Sequence, residues 1–108
     1  MSDQKQRDFG SVMARLRANY LANLPGKADA LAESLSAAQS GDAEAADSVA
    51  QQIHRLAGTA GSFGVHDISE MANALDIRLH NGEQLGDLTD EIQAFVGALR
   101  ARNSSASS

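Results

Sequence analysis

The sequence predicts an all-α fold, an antiparallel four-helix bundle whose first helical segment is kinked or split near Pro25. Three observations lead there. Apolar residues recur at three- and four-residue spacing in four segments, short connections bearing Gly, Asp or Asn separate them, and no period-two alternation of a strand appears in the 108 residues. With 43% hydrophobic residues, a chain of this length forms one domain and buries a core without cross-links.

The chain is expected to begin with a flexible N-terminus over 1–6, followed by the bundle over 7–102 and a disordered Ser-rich tail over 103–108. From Phe9 the apolar positions run Val12, Met13, Leu16, Tyr20 and Leu24, then Leu31 and Leu35, one helical face kept in phase across Pro25. That phase predicts that both halves face the same core. Pro25 lacks an amide donor and Gly26 follows it, so a break is expected there. In Ser40-Gly41-Asp42 the glycine suits a helix C-terminus and the aspartate an N-cap. The second main helix is expected from about Ala43 to Phe63, ended by Gly64. His66 or Asp67 opens the next, which buries Ile68, Met71, Ala72, Leu75 and Leu79 and stops at Asn81-Gly82. The last starts near Asp87 or Thr89 and buries Leu88, Ile92, Phe95, Val96 and Leu99.

Bulk properties exclude several function classes. The formal net charge is −5 and the sequence pI about 4.9, which argues against nucleic acid or an anionic membrane as the main partner, because both call for a basic face. Three phenylalanines and one tyrosine give little support for base stacking. There is no cysteine, so no disulfide framework exists, and a cytoplasmic location fits best. The polar N-terminus has no apolar run of a signal peptide, and no stretch approaches a membrane span. The initial methionine and polar tail suggest a free-standing protein.

The chemistry concentrates between Gln51 and Gly64. On a helix advancing about 100° per residue, Ile53 shares one face with Ala46, Val49, Ala50, Leu56, Ala57 and Ala60, all within about 60° of it. His54 falls at about 100°, on the shoulder of that stripe, where a ring leans on the core and still shows a nitrogen to water. Gly58 and Gly61 lie on the same side, and each costs a helix interior about 1 kcal/mol relative to alanine. That cost is explained either by close helix packing or by space cleared for something approaching the ring. Gly64 reads as a helix-ending glycine. A phosphate-binding loop is a weak reading of the three glycines, since no strand precedes them and no lysine follows. For His54 the plain alternative is a partly buried histidine satisfied by a polar neighbour. The three histidines contain no i, i+4 pair, which disfavours a metal site; His66 reads as a cap-region histidine and His80 as a surface one, so replacing either is expected to matter little.

The run His54-Arg55-Leu56-Ala57-Gly58, followed by Ala60-Gly61 and Phe63-Gly64, resembles the signature of histidine-containing phosphotransfer (Hpt) domains. The resemblance extends from about Phe9 to about Leu99 and implies a helical bundle whose histidine carries a phosphoryl group between aspartates of receiver domains. It implies that His54 is the phosphoacceptor in a two-component phosphorelay, a phosphocarrier with no kinase activity of its own. The implied partners are response-regulator receiver domains and a hybrid sensor histidine kinase, with no nucleic acid or membrane and with the protein a monomer. No cofactor of its own is implied; magnesium is expected on the partner receiver. This fits the chemistry, because a neutral imidazole attacks phosphorus without a separate base, and the chain has no Walker-type loop for drawing on ATP.

Around His54 the supporting or receiver-docking positions are Gln51, Arg55, Ala57, Gly58, Gly61 and Asp76. Many members of the family have lysine three residues after the histidine, where this chain has Ala57. Arg55, the nearest cation in sequence, is expected to point away from His54, at about 200° on the wheel. Gln51 reads either as a donor to phosphoryl oxygens or as a plain surface glutamine. Asp76 lies where some members place an acidic residue; it is either a solvated carboxylate or the partner of the other ring nitrogen of His54. Ala57 keeps a second reading open, that of a helical receiver-binding adaptor that carries no phosphate. The dimerisation domain of a histidine kinase fits less well, since such domains usually follow the histidine with an acidic residue and Arg55 stands there.

Overall fold

A computed structural model describes the backbone of residues 2–107 and the side chains of residues 10–102. The expected flexible ends at 1–6 and 103–108 lie outside the residues described with side chains. Five α-helices follow in order: α1 (Ser2–Ala22), α2 (Leu24–Gln39), α3 (Ala43–Ser62), α4 (His66–His80) and α5 (Thr89–Ser107), with a 3₁₀ turn over Leu85–Leu88 leading into α5. The described residues contain no strand. No helix among them is long and apolar enough to cross a membrane.

The first segment splits at Asn23. Asn23 still donates to Asn19 O and accepts from Lys27, but Pro25 has no N–H with which to continue the ladder, so α2 restarts with proline in its first turn. Local chemistry sets the next two boundaries as well. Asp42 caps α3 with one carboxylate oxygen that accepts from the amides of Glu44 at 3.0 Å and Ala45 at 3.2 Å. At the far end Gly64 adopts φ +76°, its amide donates to Gly61 O, and that of Val65 reaches back to Ala60 O at 2.8 Å. This left-handed termination satisfies carbonyls the helix would otherwise leave open, and glycine takes the positive φ without steric cost. Val65, thrown inward by the turn, is fully buried.

Helices α2, α3, α4 and α5 pack in a ring, each against the next, with α3 and α4 sharing the most extensive contact. Their apolar stripes close one core in which Leu24, Leu31, Ile53, Ile68, Ile92 and Phe95 are fully enclosed. Hydrophobic burial of this kind is the main force holding the bundle. The five apolar residues expected to be buried around the last helix, Leu88 to Leu99, all lie in this core.

Two expectations about the stripes need correction. On α1, Val12, Met13 and Leu16 are 47%, 36% and 43% exposed, and the core begins only at Tyr20 and Leu21. All of residues 10–19 are exposed, so this part of α1 runs in phase with the core but outside it. On α4, Met71 is exposed at 37% while Ile68, Ala72 and Leu75 are buried. The stripe there is narrower than its periodicity implied.

Tyr20 fastens the end of α1 to the end of α3. Its ring stacks on Phe63 with centroids 4.9 Å apart. Its hydroxyl lies 2.9 Å from Thr59 Oγ1, and because the Thr59 hydroxyl spends its own proton on Arg55 O, Tyr20 is the donor. Burial pushes the Tyr20 phenol above its ordinary pKa.

Candidate functional site

The α3–α4 contact positions the site. Ser69 of α4 donates its hydroxyl to Ala57 O of α3 at 2.9 Å, and a Cβ built on Gly61 would come within 3.1 Å of that same Ser69 oxygen. Gly61 therefore lets α4 approach close enough for the hydrogen bond; its role is packing, the bland alternative of the two. Along the same α3–α4 contact His54 meets Asp76, and Ala50 and His80 line one hollow beside them.

His54 stands out from the surface with its side chain 69% exposed, and its Nδ1 lies 3.0 Å from Oδ2 of Asp76. The Asp76 side chain is itself only 20% exposed, held against the bundle. A carboxylate can only accept, so in the neutral ring Nδ1 carries the proton and Nε2 keeps its lone pair. No other side chain among the described residues hydrogen-bonds the ring. The arrangement orients one imidazole, sets its tautomer and presents Nε2 outward.

The remaining sequence-selected residues divide by environment. Gly58 is exposed, and a Cβ added there would meet nothing within 4 Å, so internal packing does not call for glycine at that position. The bare backbone leaves the surface open one turn from the histidine. Ala57 is buried at 7%, part of the core rather than of any docking face. Gln51 and Arg55 are exposed, and both border a hollow of about 340 Å³ beside His54 that Ala50, Asp76, Leu79 and His80 complete. Arg55 lies further round the helix and borders the same hollow as the histidine. His66 has no place at this site. His80, which sequence reasoning set aside as a surface histidine, lines the hollow; the available signal was its position four residues after Asp76, on the same face of one helix.

On the other side of Arg55 lies a second hollow, bordered by Lys27, Ala30, Gln52, Leu56 and Thr59. His54 thus sits on a surface with apolar floor patches and basic rims. At the end of α4, Arg78 holds Glu83 with two hydrogen bonds of 2.9 and 3.0 Å and reaches Glu91 at 3.1 Å. The Arg78 guanidinium keeps the Glu83 carboxyl below its ordinary pKa. These exposed pairs contribute little stability but fix the turn beside His80.

Comparison with known proteins decides what this surface belongs to. The Hpt domain family model matches residues 15–102, which is most of the chain and includes the whole of this site. The chain belongs to the Hpt domain family. No curated protein and no solved structure matches it. Hpt domains take part in histidine phosphotransfer within two-component systems, interacting with receiver domains and kinases, and they are phosphocarriers rather than kinases.

The bare position offers a direct check. Gly58→Leu is expected to leave the Hpt fold at least as stable, since leucine favours helix over glycine by nearly 1 kcal/mol at an exposed site. The same change is expected to slow transfer from a receiver several-fold. Equal rates would show that the open approach has no use.

Proposed function

We propose that His54 accepts a phosphoryl group from the phospho-aspartate of a receiver domain and passes it to the aspartate of another, within a two-component phosphorelay. The observation that carries this reading is an exposed imidazole with Nδ1 on a half-buried carboxylate and Nε2 unengaged among the described residues. In the forward step the Nε2 lone pair forms a bond to phosphorus while the P–O bond to the receiver aspartate breaks, its electron pair leaving on the carboxylate. Attack by a neutral ring places positive charge on the imidazole, and Asp76, 3.0 Å from Nδ1, offsets it. The return step is the reverse, with a second receiver's carboxylate as the nucleophile.

In this reading the receiver brings the aspartate and the magnesium, and this chain brings the nucleophile and its orientation. One receiver belongs to an upstream hybrid sensor kinase and the other to a downstream regulator, and the protein works as a monomer in the cytoplasm. The two hollows beside Arg55, with apolar floors and the basic side chains Lys27 and Arg55, suit an acidic docking partner.

The test is to mix the protein with a panel of phosphorylated receivers and assay for acid-labile phosphate. Phosphate is expected on the protein with at least one receiver, and lost again to a second. Receiver binding without any transfer would favour the adaptor reading, which the buried Ala57 at the usual lysine position keeps in view.

A further inference from the structure

A phosphoryl group on His54 brings about two negative charges to the surface of a chain whose net charge is already −5, and it does so next to Asp76. Such a group is stable only where cations or hydrogen-bond donors meet its oxygens. Ala57 is apolar and buried and supplies neither. Three other arginines are already engaged: Arg78 with Glu83 and Glu91, Arg100 with Asp29, and Arg102 with Asp67. Arg55 makes no ion pair among the described residues. It borders the hollow beside His54, which His80 of α4, one turn beyond Asp76, also lines.

We propose that this hollow is the oxyanion-holding part of the transfer site: Arg55 and His80, with the Gln51 amide, hold the oxygens of a phosphoryl group carried on Nε2 of His54. Guanidinium and amide are donors at every relevant pH, and an imidazole always has at least one N–H to give. The three come from two helices that meet through the Ser69 hydrogen bond and the Gly61 contact, which hold the helix positions carrying the donors together. The inference rests on the reading of His54 as the phosphoacceptor, and names residues that reading does not need.

Phosphoramidate tests it without a receiver, so docking plays no part. Nε2 of His54 forms the bond to phosphorus as the P–N bond breaks, the electron pair leaving with ammonia. Initial rates would be measured against phosphoramidate concentration for the wild type, Arg55→Ala, His80→Gln, the double variant and Arg55→Lys. Each single loss is expected to lower the second-order rate constant about tenfold, the size expected for one charge-assisted hydrogen bond. The double variant is expected to lose saturation with phosphoramidate, and lysine at position 55 to restore part of the rate. Helical circular dichroism and the melting temperature are expected to stay the same, since both side chains border open solvent. In a mixture with a phosphorylated receiver, the double variant is expected to leave more of the phosphate on the receiver. If wild type and double variant show equal rates and equal partition, the inference is overturned while the His54 reading stands. If the wild type takes acid-labile phosphate from neither donor, the His54 reading is overturned and the inference with it.

Discussion

His54→Gln is expected to reduce phosphotransfer to background while leaving the helical circular dichroism and thermal unfolding unchanged. Glutamine matches imidazole in reach and still hydrogen-bonds Asp76 through its amide, but it has no lone pair of comparable nucleophilicity to offer phosphorus. The ring is 69% exposed and belongs to no core contact, so its loss removes little packing. The effect is therefore chemical rather than structural. Residual transfer after this change would mean that another residue is the acceptor, and His80, in the same hollow, would be the first to examine.

The largest expected effect on stability is that of Phe95→Ala. Phe95 is fully buried on α5 within the cluster that also holds Ile53 of α3 and Ile68 of α4. Truncating such a ring costs about 3–5 kcal/mol, against about 5–15 kcal/mol for the total stability of a domain of this kind. A drop in melting temperature of roughly 15 °C or more is expected. The consequence reaches the site, because the His54–Asp76 pair depends on the register of α3 against α4, which the shared core maintains. Leu16→Ala is the contrast: leucine at 43% exposure, outside the core, is expected to change stability by about 0.5 kcal/mol or less. Similar losses from the two substitutions would mean that α1 is covered in solution.

That contrast marks where reading the sequence stops. Periodicity reports that one side of a helix is apolar, and on α2, α3 and α5 that was enough, because each has a neighbour to cover it. It does not report whether a neighbour exists, and so Val12, Met13 and Leu16 keep the phase of the core without being buried in it. Helix boundaries were legible because their causes are local. Asp42 caps α3 through its own side chain, Gly64 ends α3 through its own backbone angle, and Pro25 interrupts the ladder by its missing hydrogen.

The site divides along the same line. The shoulder position of His54 and the bareness of Gly58 follow from one helix alone. What His54 faces does not, since it depends on how far α4 slides along α3. The hydrogen bond from Ser69 to Ala57 O, twelve positions away, marks that register beside the bare Gly61, and neither the Arg55–His80 hollow nor the separate environments of Gly58 and Gly61 follow from one helix alone.

The central claim is that Asp76 holds one ring nitrogen so that the other is the nucleophile. Isotope-edited NMR of the phosphorylated protein, with nitrogen-15 in the imidazole and phosphorus detection, locates the P–N bond directly. Coupling of the phosphorus to Nε2 of His54, with Nδ1 still protonated against the carboxylate, is the predicted result; phosphate on Nδ1, or on any other side chain, would contradict it.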